Sequence, residues 1–325
     1  MKQTIYLHIG PHKTGTTVIQ KASLDNRNIL DKYSVAYPDI FFEALGHHKL
    51  VDSVRGRKNL SDDFDSLLNS SEKILLSSEN FIHFSLEDLK YLKICLSKFD
   101  VKIIYAWRRS SLKMYSMWQE SIKHGCSKSF YSYFYNDLIR PGESRSLMQK
   151  INLDMYASVF GKDNIYILDF DEISENNSLI NDFFSIVGVN GAEIDISNQN
   201  KGIKNESLEP ATIEILRCLN SLSSRAGLPE NARTREAFLS NQELVGENIE
   251  KAKLLMKDYY EEFAVGNYFF DRVTEKNITE HYTDNLVKYK NKVRTKKIKV
   301  VKQDWLLKPE SSQLITAIHK AIIGG

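Results

Sequence analysis

The chain is poor in cysteine and proline, and it lacks a long apolar run. Of its 325 residues, three are cysteine and six are proline. Cys95, Cys126 and Cys218 lie far apart and show no C-x-x-C spacing, which disfavours a disulfide framework or a cysteine zinc site. No apolar run approaches the length of a membrane span. The short N-terminal apolar run is interrupted by His8 and does not resemble a signal peptide. We therefore expect a cytoplasmic protein without a membrane span.

A strong excess of charge of one sign is also missing. The 44 Lys and Arg residues are almost balanced by 42 Asp and Glu residues, which leaves a formal net charge of +2. Nothing in this balance indicates a nucleic-acid partner. The hydrophobic fraction of 42% is sufficient for a substantial core. A chain of this length fits one large α/β domain with insertions or two small domains.

Short apolar strands alternate with helical stretches along the chain. Helices are predicted to begin near Thr16, at Ser85 with Asp88 in a capping box, and near Ser111. Strands are predicted from Ile5 to Ile9 and over residues 73–77, 101–107 and 164–169. This order predicts an α/β, P-loop-like three-layer fold with a central parallel sheet flanked by helices. A C-terminal helical extension from Glu310 completes the expected fold.

The first strand runs directly into a loop that contains two glycines and ends in hydroxyl residues. Residues 4–17 read T-I-Y-L-H-I-G-P-H-K-T-G-T-T. Such a loop can surround an anion with backbone N–H groups, with the positive end of a helix dipole behind them. Lys13 supplies a positive charge, and Thr16 and Thr17 supply hydroxyls at the helix start. The loop is not a Walker A motif, because Lys13 precedes Gly15 by two residues and Thr16 occupies the usual lysine position.

Polar residues also follow two other predicted strands. Glu79 comes after residues 73–77, and Arg108 comes after residues 101–107 with Ser116 eight residues later. Ligands of parallel sheets bind at the carboxyl ends of strands. A guanidinium forms forked hydrogen bonds to phosphate, and a hydroxyl on a helix adds another. Together with the loop, these residues predict two anion sites, as a ligand with two separate phosphate groups requires.

Three segments resemble the bacterial carbohydrate branch of the sulfotransferases that use 3′-phosphoadenosine 5′-phosphosulfate (PAPS). They are P-H-K-T-G-T-T, the Ser-Ser-Glu that ends at Glu79, and W-R-R-S-S-L-K-M-Y-S-M-W-Q. The resemblance implies that Arg108 and Ser116 bind the 3′-phosphate of PAPS. It also implies a set of residues that bind the 5′-phosphosulfate: Lys13, Thr14, Gly15, Thr16 and Thr17. The R-K-G-x-x-G-D-W element of the cytosolic small-molecule enzymes is absent, and Lys201 and Gly202 are weak candidates at the adenosine end.

Sulfuryl transfer needs charge stabilisation on the leaving oxygen and a base for the acceptor hydroxyl. We expect Lys13 to provide the charge and Glu79 to act as the base. His47 and His48 are alternative candidates for the base, because imidazole is a good base near neutral pH. His48 is the second choice after Glu79. No metal is expected, because no Asp, Glu or Cys spacing completes a site around the His pair.

The resemblance implies a carbohydrate acceptor, such as a cell-surface or capsular glycan or its precursor. It predicts a sulfotransferase domain over residues 1–287, followed by a basic segment and a C-terminal helix over residues 288–325. The basic segment 288–302 could contact an anionic surface peripherally, although a solvated charged segment is the plainer interpretation. Tyr115, Trp118 and Gln119 could face the acceptor or pack in the core.

Two other functions stay open. A P-loop nucleotide kinase or NTPase would share the fold and the loop, but it needs Mg²⁺ held by a loop hydroxyl and an Asp. A nucleotide- or glycan-binding protein would keep the loop without catalysing a reaction. The kinase or NTPase is the weaker interpretation, because the second and third predicted strands end in Ser-Ser-Glu and Trp-Arg-Arg and Lys13 is displaced from the Walker A position.

Overall fold

The computed structural model describes residues 2–68, 70–197, 207–227, 233–292 and 294–323. Within them the strands are β1 (Thr4–His8), β2 (Val35–Ala36), β3 (Lys73–Ser77), β4 (Asp100–Trp107), β5 (Ile165–Asp169), β6 (Tyr260–Glu262), β7 (Leu286–Val287) and β8 (Lys299–Val301). The α-helices are α1 (Thr16–Asp25), α2 (Arg27–Lys32), α3 (Lys49–Arg55), α4 (Ser61–Asp65), α5 (Leu86–Cys95), α6 (Ser110–Lys123), α7 (Phe130–Tyr133), α8 (Tyr135–Ile139), α9 (Lys150–Phe160), α10 (Phe170–Glu175), α11 (Leu179–Ile186), α12 (Pro210–Arg225), α13 (Arg233–Ser240), α14 (Gly246–Met256), α15 (Asp271–His281) and α16 (Pro309–Ile323). A π-helix, Val265–Phe270, directly precedes α15.

The chain divides into two compact units. Unit 1 comprises Met1–Arg109, Gln149–Lys204 and Thr274–Val293, and unit 2 comprises Ser110–Met148, Asn205–Val273 and Arg294–Gly325. Each unit is built from three separate stretches of the chain. The predicted division into residues 1–287 and 288–325 stays a prediction.

Unit 1 contains a parallel sheet with the strand order β2-β3-β1-β4-β5-β7. Leu7 in β1 is paired with Leu76 in β3 on one side and with Ile103 in β4 on the other. The chain thus adds β2 and β3 on one side of β1 and then crosses to add β4 on the other side. Ligands of open α/β sheets bind where the strand order reverses in this way, at the carboxyl ends of the strands. The loop after β1 begins at this position.

Apolar side chains from the two faces of the sheet enter two different cores. On one face, Ile5, Leu76 and Ile103 pack with residues of α3, α5 and α9. On the other face, Leu75 and Ile104 pack with residues of α1, α2 and α11. Because strand side chains alternate in direction, a strand buried on both faces is apolar along its length. The predicted three-layer fold with a central parallel sheet is confirmed, as are its four strands.

Short-range sequence patterns correctly predicted where several helices begin. Asp88 N–H donates to Ser85 Oγ at 3.1 Å, and Ser85 N–H donates to Asp88 Oδ2 at 3.0 Å. The predicted capping box at the start of α5 is therefore present. Helix α1 begins at Thr16 as predicted, and α16 begins at Pro309, one residue before the predicted position.

Unit 2 is mostly helical and has its own apolar core, to which Leu216, Phe263, Trp305 and Ile318 contribute. Strands β6 and β8 form a two-stranded antiparallel sheet. Helix α12 carries a buried ion pair in which Arg217 Nη2 lies 2.7 Å from Glu214 Oε1 and Nε lies 2.8 Å from Oε2. Trp305 Nε1 also donates to Glu214 Oε1 at 3.2 Å. These bonds compensate for placing two charges in the core.

Candidate functional site

The anion loop, residues 9–17, joins β1 to α1 in unit 1. Its backbone is left-handed at Lys13 (φ 68°) and at Gly15 (φ 75°). Gly15 is the N-cap of α1, which has no side-chain cap and no acidic residue in its first turn. Among the described residues, the N–H groups of Gly15, Thr16 and Thr17 have no protein acceptor. Free amides at the positive end of a helix dipole form a suitable environment for an anion.

Two of the predicted ligand hydroxyls hold the loop itself together. Thr14 Oγ1 donates to the carbonyl of Pro11 at 2.6 Å, and Thr16 Oγ1 lies 3.3 Å from the same oxygen. Both threonines are buried, whereas Thr17 is half-buried. These bonds fix the shape of the loop, and they use the hydroxyls of Thr14 and Thr16 within the protein.

Arg108, at the end of β4, contacts the anion loop directly. Its Nη1 donates to the carbonyl of Lys13 at 2.7 Å, and its guanidinium lies over the ring of Phe170 at 5.4 Å. Burial lowers the pKa of Arg108 below its ordinary value, and the nearby charge of Asp171 opposes this shift. The Nε atom of Arg108 is buried and, within the described ranges, has no hydrogen-bond partner. That Nε lies 3.8 Å from Asp171 Oδ1, so the cation has an ion-pair partner but keeps a buried donor without a hydrogen bond next to the loop. Such a donor fits an anionic oxygen.

Glu79 follows β3, the neighbour of β1, and packs against the start of the loop. A Cβ atom added to Gly10 would lie 3.0 Å from the Cα of Glu79, which shows how closely the two backbones approach. Gln20 Nε2 donates to Glu79 Oε2 at 3.1 Å. Nδ1 of His12, a loop residue, lies 3.9 Å from Glu79 Oε1. The structure therefore brings the predicted base to the predicted anion loop.

Gln20 and His12 are site residues that sequence reasoning did not identify. His12 belongs to the loop itself, so its position beside Lys13 could have indicated it. Gln20 lies one turn into α1, and only the pairing of β1 with β3 places it beside Glu79.

His47 and His48 occupy different environments. His47 is buried: its Nδ1 accepts from Ser77 N–H at 3.0 Å, and its Nε2 donates to the carbonyl of Pro38 at 2.9 Å. Burial lowers the pKa of His47 to about 4. Both ring nitrogens of His47 are thus used within the protein, which makes this histidine a poor candidate for the base. His48 Nδ1 lies 2.7 Å from the hydroxyl of Ser78, the residue before Glu79. His48 is thus hydrogen-bonded to the residue that precedes the predicted base.

Ser116 and its neighbours lie on α6 in unit 2. Ser116 is half-buried, and Arg108 belongs to unit 1, so the pairing of Arg108 with Ser116 stays a prediction. Trp118 and Gln119 are buried within unit 2. Gln119 Nε2 donates to the carbonyl of Leu208 at 2.8 Å, which supports the core interpretation for this residue. Lys201 and Gly202 lie outside the described residues.

The predicted basic segment is divided between the units. In unit 1, Lys290 lies 3.1 Å from Glu172 and Lys292 lies 2.6 Å from it, while Lys288 pairs with Asp182. The residues from Arg294 onward belong to unit 2. The first part of the segment is therefore held by ion pairs of unit 1.

Two absences concern only the residues that the structure describes. None of their helices is both long and apolar enough to cross a membrane. They contain no group of three or more His, Cys, Asp or Glu side chains arranged to hold a metal ion.

Among known proteins, similarity to this chain is found only at the level of solved structures. No family model matches the chain, and no curated protein matches it either. A sulfotransferase from Alicyclobacillus acidocaldarius is among the solved structures that resemble it, with 14% sequence identity and a TM-score of 0.40. The likeness covers 70% of this chain and 98% of that chain. A likeness of this extent carries no argument about function.

Proposed function

We propose that this protein transfers a sulfuryl group from PAPS to a hydroxyl group of a carbohydrate and releases adenosine 3′,5′-bisphosphate. A cell-surface or capsular glycan, or its precursor, is the proposed acceptor. The resemblance of three sequence segments to carbohydrate sulfotransferases supports PAPS as the donor and a carbohydrate as the acceptor. The observation that carries the proposal is the position of Glu79, whose carboxylate lies beside the anion loop and accepts from Gln20.

The anion loop is proposed to bind the 5′-phosphosulfate. The free N–H groups of Gly15, Thr16 and Thr17 would donate to its oxygens, and Thr14 and Thr16 would hold those amides in place. Lys13 would stabilise the negative charge that develops on the leaving oxygen. Because these donors are already oriented, they require little rearrangement during the reaction.

The acceptor hydroxyl must lose its proton as its oxygen bonds to sulfur. Glu79 is proposed to accept that proton, while the bond from sulfur to the bridging oxygen breaks and its electron pair stays with the bisphosphate. Gln20 would orient the carboxylate through its 3.1 Å hydrogen bond. His48 is the second candidate for the base, since its Nδ1 lies 2.7 Å from the hydroxyl of Ser78, the residue before Glu79.

Calorimetry distinguishes this proposal from a nucleotide kinase or NTPase. Adenosine 3′,5′-bisphosphate should bind tightly without Mg²⁺, and ATP should not. Replacement of Arg108 by Met and of Ser116 by Ala, each alone, should weaken bisphosphate binding and so test the predicted 3′-phosphate ligands. Tight binding of ATP with no binding of the bisphosphate would refute the assignment.

The base is tested by Glu79→Gln, which keeps the size of the side chain and removes its negative charge. Turnover should fall about 10²–10⁴-fold, while bisphosphate affinity stays close to that of the wild type. The matched control is Glu87→Gln, because Glu87 is an exposed carboxylate of the same unit that pairs with Lys90. Loss of turnover in His48→Asn, with full turnover in Glu79→Gln, would assign the base to His48.

A further inference from the structure

A helical segment of unit 2 has its apolar side chains on the outside. The segment runs through the π-helix Val265–Phe270 and into the start of α15. Four of its apolar side chains form what we call the outward face, and they are between 44% and 64% exposed: Val265, Tyr268, Phe269 and Val273. Their spacing of i, i+3, i+4 and i+8 places them on one side of a helix.

The opposite side of this segment is buried and polar. Asn267 Nδ2 donates to the carbonyl of Ile298 at 3.0 Å, and its Oδ1 accepts from the N–H of Ile298 at 3.0 Å. Asp271 accepts from the N–H of Ser111 at 2.8 Å and from its hydroxyl at 2.6 Å. Turning the helix to bury its apolar side would leave these polar groups without partners, at a large cost. The hydrogen bonds of unit 2 therefore hold the apolar face toward solvent.

Basic side chains border the outward face. Lys297 Nζ lies 4.8 Å from the centre of the Tyr268 ring and 3.4 Å from the carbonyl of Asn267. Arg272, Lys296 and Lys299 are exposed on the same elements or directly beside them. An acidic residue is also present, since Glu262 accepts from the hydroxyl of Tyr268 at 2.6 Å. Two further carboxylates, Glu261 of β6 and the buried Asp271, accept hydrogen bonds from Tyr131 and Ser111. The four basic side chains thus outnumber three carboxylates, all of which are already hydrogen-bonded.

We propose that the outward face docks into the headgroup region of an anionic lipid bilayer. Aliphatic and aromatic side chains enter the headgroup boundary, where the amphipathic ring of tyrosine is well accommodated. The bordering lysines and arginine attract anionic lipids, and their aliphatic stems reach along the apolar surface. Because basic side chains border the outward face, an anionic bilayer complements it better than a neutral apolar partner does. The proposal does not depend on sulfuryl transfer.

Sedimentation of the full-length protein with lipid vesicles tests this proposal. It should bind vesicles of phosphatidylcholine with phosphatidylserine, bind phosphatidylcholine alone far more weakly, and dissociate at high salt. Phe269→Ser should weaken binding about tenfold or more, and Lys297→Gln about fivefold. Leu254→Ser is the matched apolar control, because Leu254 is 70% exposed on α14 of the same unit. Lys251→Gln is the basic control on that helix.

Three results would overturn the proposal. The first is a wild-type protein that does not sediment with anionic vesicles. The second is equal loss of binding in Leu254→Ser and Phe269→Ser. The third is a wild-type dimer in light scattering that becomes monomeric in Phe269→Ser without vesicle binding, since the face would then bind a second copy. Circular dichroism spectra of all variants should match the wild type, because each replaced side chain is at least partly exposed.

Discussion

Replacement of Gly15 by alanine tests the geometry of the anion loop. The backbone at Gly15 has φ +75°, and an alanine Cβ there would lie 2.5 Å from Leu179 Cδ2 and 3.2 Å from Phe170 Cε2. A left-handed non-glycine residue costs about 1–2 kcal/mol. Forcing a methyl group into a packed contact costs about 1–3 kcal/mol more. We therefore expect Gly15→Ala to lower the free energy of unfolding of unit 1 by roughly 2–5 kcal/mol.

Gly188→Ala is the matched control for backbone strain. Gly188 belongs to the same unit and has φ +79°, but its added Cβ would meet only the end of the flexible Lys73 side chain, at 2.7 Å from Nζ. This variant should lose about 1–2 kcal/mol. Both replacements also reduce the entropy of the unfolded chain by a similar amount, so their difference measures the contact with Leu179 and Phe170.

Hydrogen exchange of the β1 amides is a suitable assay, because it reports the opening of unit 1 separately from that of unit 2. Adding Leu179→Ala to Gly15→Ala should recover part of the loss, with a favourable coupling of about 1–2 kcal/mol in the double-mutant cycle. If Gly15→Ala costs no more than Gly188→Ala, and no coupling appears, the packing of α11 against the loop is not as described.

Three further predictions concern stability. Burial lowers the pKa of His47 to about 4 and that of His8 to about 3, from an ordinary 6.5. The unfolded chain therefore binds more protons, and the free energy of unfolding should fall as the pH drops below about 6.5. His47 alone should contribute up to about 3 kcal/mol. His47→Asn should flatten this slope in urea titrations, and an unchanged slope would contradict the assignment. Ser85→Ala should cost about 1 kcal/mol by removing a capping bond of α5, measured from the urea midpoint; a shift within error would be inconsistent with the capping box. Arg217→Met should cost about 3–5 kcal/mol by leaving Glu214 buried without its partner, and adding Glu214→Gln should restore part of that loss in thermal unfolding.

Several parts of unit 1 were predictable because their signals are local. The alternation of Ile5, Leu7 and Ile9, the capping box at Ser85, and the glycines of the anion loop each depend on residues within a few positions of one another. Backbone conformation and helix termination respond to such short-range chemistry. The positions of Glu79 and Arg108 next to the loop followed from one further rule, that the carboxyl ends of parallel strands share an edge of the sheet.

The partners of these residues were not predictable in the same way. Glu79 is 59 residues from Gln20, and only the register of β1 with β3 brings them together. The same holds for His47, which the sequence presents only as a candidate base next to His48. It is buried because Ser77 and Pro38 satisfy both of its nitrogens.

In the segment 265–273, the sequence alone does not predict which side of the helix faces solvent. Its sequence contains Val265, Phe269 and Val273 at helical spacing, which by itself indicates a side buried in a core. The tertiary structure turns that side outward, because Asn267 and Asp271 bond to Ile298 and Ser111, which are 31 and 160 residues away. The sequence by itself thus determined the strands, the anion loop and the helix starts, which depend on short-range chemistry. Only the tertiary structure decided which polar groups pair across the chain and which side of a helix meets solvent, because the desolvation of unpaired polar groups outweighs the gain from burying a few apolar side chains.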